Sequence, residues 1–240
     1  KILVIDEFGH QFKIDRDILY QQAYMDNISY STNDKDDLLQ ASREIVEIFK
    51  PYNFDLQQFV TNFEDLQESF DDRSGEKTPE CVKLLGILWN RKTDVIMTKP
   101  IQLNKNANTK RKLASSIAEH FDPMGFSFPL LNRARNFINT CRNDKNLEWD
   151  TKISSSRLKV WCNICNQVNG RAIQVSRCVG TYDDLFSLHC FCDTSRTMYG
   201  IVIYLQNNKT REVKLLLARG RVISKTLSKQ SIPALELHAL

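Results

Sequence analysis

Two carboxylates near the C-terminal end stand alone in apolar surroundings. Asp193 lies in LHCFCDTSRTMYGIVIYL (188–205) and Glu236 in SIPALELHAL (231–240). The apolar run that holds Asp193 is followed by a short polar turn and a second apolar run opening at Gly200, which predicts a hairpin. Glu236 sits in a helical pattern that starts at Ser231 with Pro233 near the first turn. A strand-borne Asp and a helix-borne Glu joined through a hairpin make a candidate active site built on carboxylate oxygens. A third carboxylate, Asp26, adjoins Asn27 within QQAYMDNISYST (21–32). Aromatic and aliphatic residues flank that pair, so the stretch reads as a tight β-hairpin with a polar tip, and Asp-Asn is also ordinary turn chemistry.

Cysteine offers a different chemistry. Seven cysteines are spread along the chain, and Cys162-x2-Cys165 with Cys190-x-Cys192 has spacing that four thiolate ligands of a zinc ion could use. Two residues apart on a strand, Cys190 and Cys192 share a face, and Cys162 and Cys165 share one side of a helix, where cysteine acts as a small hydrophobe. Packing and reduced thiols are therefore the expectation, and the density of a disulfide-stapled secreted scaffold is absent.

The 240 residues suffice for one large or two small domains. Hydrophobic content of 42% and charged content of 26% are those of an ordinary globular protein. No apolar run approaches the roughly 18 residues of a membrane span, and no signal-peptide pattern opens the chain, so it reads as intracellular. The net charge of +4 hides a division: residues 1–80 hold 8 Lys/Arg against 18 Asp/Glu, whereas residues 99–171 hold 13 against 5. The middle of the chain suits a polyanion and the N-terminal part does not.

The elements that must position these residues follow from period and capping. Asn33 or Asp34 caps a helix whose face carries Leu38, Ser42, Ile45 and Phe49, and Pro51 stops it. Tyr52 to Asn62 alternates well enough for a strand, and Glu64 to Glu80 reads as an exposed acidic linker. Cys81 to Trp89 is expected as one strand, turning at Asn90 to Thr93 into a second near Asp94 to Thr98. A basic helix starts from Asn108 or Thr109 with Leu113, Ile117 and Phe121 as packing residues and Lys110, Arg111 and Lys112 in its first turn. Cations there oppose the helix dipole, and an anionic partner would relieve that. Further helices are expected near Pro129 to Cys141, carrying Arg133 and Arg135, and at Ser154 to Val168. A short strand follows within 170–180, then the hairpin of Asp193 and a third strand over Val213 to Lys225.

Several strings now fall in one order. YMDN (24–27), NFDLQQFVTN (53–62), LLGILWN (84–90), TKRKLASSIAEHFDPMGF (109–126), LEWD (147–150), SRCV (176–179), FCDTS (191–195) with YG (199–200), and SIPALEL (231–237) together resemble the reverse transcriptase and ribonuclease H region of BEL/Pao-type retrotransposon polyproteins. The resemblance covers nearly all of the chain from about Tyr20 onward.

The resemblance implies an α+β fold in three parts. Residues 1–98 would be the C-terminal part of a reverse-transcriptase palm with the primer-grip hairpin, 99–185 a helical thumb and connection, and 186–240 the N-terminal half of a ribonuclease H-like mixed sheet. Asp26 would be a ligand of the polymerase metal ions, with Asn27 in place of the family's second Asp offering a neutral oxygen and a weaker hold. Polymerase chemistry also needs a palm carboxylate from an earlier strand, which the chain does not supply. Gly86 would let backbone approach nucleic acid, and Lys110, Arg111, Lys112, Arg133 and Arg135 would contact its phosphates. Asp193 and Glu236 would be catalytic and metal-binding, two of four carboxylates for Mg2+, with Mn2+ as an alternative, and the other two are expected past Leu240.

The implied partners are RNA/DNA hybrid, primer-template nucleic acid and the rest of the Pol polyprotein, without a membrane. The implied location is cytoplasmic, in a virus-like particle, or nuclear. On this view the chain is a fragment, inactive alone, of a parent that carries out RNA-directed DNA synthesis and two-metal hydrolysis of RNA in hybrids. A decayed or domesticated binding scaffold is the alternative. A retrotransposon aspartic peptidase is a remote one, because Asp193-Thr194-Ser195 lacks the glycine of the Asp-Thr/Ser-Gly loop that such catalysis requires.

Overall fold

The structure is a computed structural model and describes residues 12–14, 16–24, 27–181, 183–224 and 226–239. The fold is α+β, and the chain divides into two compact units: residues 1–85 with 90–94, and residues 86–89 with 95–240. Among the described residues no helix is long and apolar enough to cross a membrane.

The first unit opens with helix α1 (Arg16–Gln22) and the two-residue strands β1 (Ala23–Tyr24) and β2 (Asn27–Ile28), paired antiparallel with Tyr24 opposite Asn27. The expected hairpin is therefore present. Helix α2 (Lys35–Phe49) starts where Asp34 accepts hydrogen bonds from the amides of Asp36 and Asp37, and it passes into a 3-10 turn over Lys50–Tyr52 that contains Pro51. Its buried side carries Ala41, Ile45, Ile48 and Phe49, packed with Ile14 and Leu19. Glu44 is also buried there, and its carboxylate accepts from the Ile14 amide at 2.8 Å and the Gln40 side chain at 2.7 Å.

Two expectations fail next. Tyr52 to Asn62 is not a strand, because the left-handed backbone at Gln58 (φ 60°) interrupts the pleat. The polar groups that a sheet would have paired go to one side chain: buried Gln67 accepts from the Thr61 amide at 2.8 Å and donates to the Phe59 carbonyl at 3.0 Å. The expected acidic linker is instead helix α3 (Glu64–Ser74), ended by Gly75 at φ 73°. Acids in its first turn favour the dipole, and Leu66, Gln67 and Phe70 form the buried side. Strand β3 (Cys81–Leu84) completes this unit.

The expected single strand over 81–89 is broken. Leu85 and Gly86 have φ of 49° and 85°, consecutive positive values that turn the chain before β4 (Ile87–Asn90). In the second unit, β4, β5 (Val95–Met97) and β6 (Gln174–Ser176) lie side by side in that order, with Val95 opposite Ser176. Three helices then form the largest core: α4 (Lys110–Ala118), α5 (Phe128–Asn143) and α6 (Ser155–Val168). Thr109 and Ser154 cap α4 and α6 with their hydroxyls. Leu113, Leu131, Ala134, Trp161, Ile164 and Cys165 are buried together, and the Trp161 ring N–H donates to the Asn104 carbonyl at 2.9 Å.

Strands β7 (Phe186–Thr194), β8 (Met198–Asn207) and β9 (Val213–Val222) form an antiparallel sheet in sequence order. A bulge opposite Ile203 and Tyr204 shifts the β8–β9 register. Helix α7 (Ile232–Ala239) packs on β7 and β8, and α5 packs on β9.

Candidate carboxylate site

Asp193 is the penultimate residue of β7, exposed, and its Oδ1 accepts the Thr194 amide at 2.8 Å. Across the sheet it stands opposite Gly200, which stands opposite Gly220. Cross-strand partners project to the same face, so the row beside Asp193 carries no side chains. The space is taken up two strands away: a β-carbon at Gly220 would meet the Phe128 ring of α5 at 1.9 Å. The glycine lets α5 lie on the face from which the Asp193 carboxylate projects. Two strand spacings place Gly220, which lies under the Phe128 ring, about 10 Å from Asp193.

Glu236 is exposed on α7, next to Leu235, which is buried and anchors the helix. Ser231 starts α7: its hydroxyl accepts from the Ala234 amide at 3.4 Å and its carbonyl from the Leu235 amide at 3.1 Å. The structure thus packs the element bearing Glu236 against the strand bearing Asp193. Asp26 lies outside the described residues. Its neighbours Tyr24 and Asn27 hold the hairpin on either side.

Carboxylates are hard oxygen donors and suit Mg2+ in kind. Among the described residues, however, no group of three or more His, Cys, Asp and Glu side chains is placed to hold a metal ion. Asp193 and Glu236 therefore fit the implied ion by chemistry and fall short of it in number. Of the two cysteine sets only Cys165 is buried, and burial, reinforced by Cys162, pushes its thiol up to about 11, whereas Cys190 is exposed and Cys162 and Cys192 are partly so.

The basic residues are placed unequally. Lys110 is buried, and its ammonium donates to the main-chain carbonyls of Arg142 at 3.4 Å and Asp144 at 2.9 Å. Arg111 is exposed and forms a two-pronged ion pair with Asp150 at 2.8 and 2.9 Å, which raises the Arg111 pKa. Lys112 is exposed. Arg133 is exposed and donates to the Gln167 side chain, whereas Arg135 is half-buried with its guanidinium 5.5 Å over the Phe128 ring. Burial pushes the Arg135 pKa down, and nearby Asp122 opposes this. Of the expected packing residues on α4, Leu113 is fully buried and Ile117 packs on the same core. Phe121 lies beyond the helix, 48% exposed, and its ring is 2.9 Å from where a β-carbon at Gly86 would be.

Sequence reading missed the glycine row beside Asp193 and a polar groove between α5 and the β7–β8 turn, lined among others by Asn136, Asn139 and Arg196. Glycines inside two neighbouring strands were a legible signal of close approach. The asparagines recur at helical steps, yet nothing in sequence said which face they occupy.

A model of the family described as Pao retrotransposon-like RNaseH-like domain matches residues 109–240. The three-stranded antiparallel sheet followed by a packed helix belongs to the ribonuclease H-like class that this description names. No curated protein matches. Among solved structures, the foamy viral protease-reverse transcriptase in complex with RNA/DNA hybrid is 15% identical, with 89% of this chain and 30% of that chain covered and a TM-score of 0.39. The foamy viral protease-reverse transcriptase dRH in complex with double-stranded DNA is 16% identical, with 84% and 38% covered and a TM-score of 0.21. The chain thus spans 30% and 38% of the length of these two. The chain belongs to the Pao retrotransposon-like RNaseH-like domain family.

Proposed function

We propose that the chain is a fragment of a BEL/Pao-type Pol polyprotein whose parent synthesises DNA on RNA and hydrolyses RNA in RNA/DNA hybrids. Residues 1–98 correspond to the end of the polymerase palm, 99–185 to thumb and connection, and 186–240 to the first half of the ribonuclease H domain. The observation that carries the reading is that α7, which bears exposed Glu236, packs on β7, which bears exposed Asp193, in a chain of this family. A bound Mg2+ would supply charge stabilisation at the scissile phosphate. Asp193 and Glu236 would give it two oxygen ligands, and the remaining ligands would come from other residues of the polyprotein. Gly200, directly opposite Asp193, leaves the strand end open to a phosphodiester backbone. Asp26 is the corresponding proposal for the polymerase site. The fragment by itself does not cut.

The test is hydrolysis of an RNA/DNA hybrid in Mg2+ by a chain continued past Leu240 along its polyprotein, compared with its Asp193→Asn variant. Asp193→Asn abolishes cleavage while leaving hybrid binding in place. Equal cleavage by both overturns the assignment of Asp193. Hybrid binding without cleavage by either favours the non-catalytic scaffold.

A further inference from the structure

The groove between α5 and the β7–β8 turn has a volume of about 370 Å³ and is open to solvent. Asn136, Asn139, Thr140 and Asn143 line it from the helix, and Arg196 and Thr197 from the turn. The helix residues recur at steps of three and four, so they form one stripe. From Asn136 to Asn143 the stripe covers about 10 Å at a rise of about 1.5 Å per residue. Its character is amide and hydroxyl. The acid at its end, Asp144, is already held by Arg157 at 2.8 Å. Among the described residues, the Asn139 side chain has no hydrogen-bond partner and exposed Arg196 no ion pair.

The groove lies close to the candidate site. Arg196 follows Asp193 by three residues, a reach of at most about 10 Å. A nucleic-acid strand with one phosphodiester at Asp193 would pass Arg196 and enter the groove. A track for phosphates alone calls for several cations, and the lining holds one, Arg196. A carboxamide both donates and accepts, and so does a ribose 2′-hydroxyl, the group that separates RNA from DNA.

We propose that this groove holds the RNA strand of a hybrid, with Arg196 on a phosphate and the Asn136 and Asn139 amides on ribose 2′-hydroxyls. The inference rests on the reading of the chain as part of a hybrid-binding polyprotein and adds a strand-discriminating surface contributed by α5.

Fluorescence anisotropy with a short RNA/DNA hybrid and a DNA duplex of the same sequence, over a salt series, tests it. The wild-type chain prefers the hybrid. The double variant Asn136→Ala, Asn139→Ala loses about fivefold or more in hybrid affinity, the scale of two neutral hydrogen bonds. Its affinity for duplex DNA and its salt slope stay unchanged. Arg196→Ala weakens binding to both duplexes and lowers the salt slope by about one. Alanine is a better helix former than asparagine, so α5 is retained in the double variant. A hybrid preference that survives in the double variant overturns the groove assignment while leaving hybrid binding intact. A wild type that binds neither duplex overturns both this inference and the proposed function.

Discussion

The Lys110 ammonium donates a 2.9 Å hydrogen bond to the main-chain carbonyl of Asp144, 34 residues further along the chain. A cation in the first turn of α4 would by itself oppose that helix's dipole. Lys110 escapes the penalty by reaching to the end of α5, where the carbonyls of Arg142 and Asp144 present the negative pole.

Lys110→Met therefore removes a buried charge-assisted contact and leaves two carbonyls short of a donor. The expected loss is about 2 kcal/mol, read by urea denaturation. Lys112→Ala, on the exposed side of the same turn, leaves stability within about 0.5 kcal/mol and lowers the salt slope of hybrid binding by about one. Equal destabilisation by both changes would contradict the buried position of Lys110.

Gly220→Ala places a β-carbon 1.9 Å from the Phe128 ring. Overpacking of this kind costs about 1–3 kcal/mol, and a lowered melting temperature reports it. Adding Phe128→Ala opens space for the new methyl group, so the double variant is more stable than the sum of the two single changes predicts. Strict additivity would mean that the ring and the glycine do not meet.

Asp144 is held below the ordinary carboxylate value of 3.8, first by its hydrogen bond from Arg157 and then by the Asn146 amide. A carboxyl depressed in the folded state contributes stability above its unfolded pKa and loses that contribution as pH falls through the folded value. Arg157→Met should therefore narrow the stability difference between pH 7 and pH 3. A difference unchanged by the substitution would show that the pair has no role in acid sensitivity.

Thiol accessibility gives a check on packing. Cys165 is buried with its pKa pushed up to about 11, and burial also raises the Cys141 pKa. Alkylation at pH 8 followed by mass spectrometry should label exposed Cys81, Cys178 and Cys190 first, because the thiolate is the reacting form. Early labelling of Cys165 would mean that α6 does not pack as described.

Much of the local structure was legible because local chemistry decides it. Asp34, Thr109 and Ser154 cap their helices with short polar side chains, and the apolar runs around Gly200 pair as a hairpin because their lengths and turn match. The misreadings came where a distant group took over. Gln67 supplies the partners that Phe59 and Thr61 would have found in a strand, and it does so from a helix whose acidic composition reads as linker.

The sequence by itself determined the carboxylates of the candidate site, the hairpin and helix that bear them, and the basic character of the middle region, since all three depend on residues close in the chain. Only the tertiary structure decided which side chains remain available. It turned Lys110 inward to the end of α5, tied Arg111 to Asp150, set Arg135 over Phe128, and lined the groove beside Asp193 with asparagines. Burial and long-range pairing are properties of elements packed together, and no local pattern of residues encodes them.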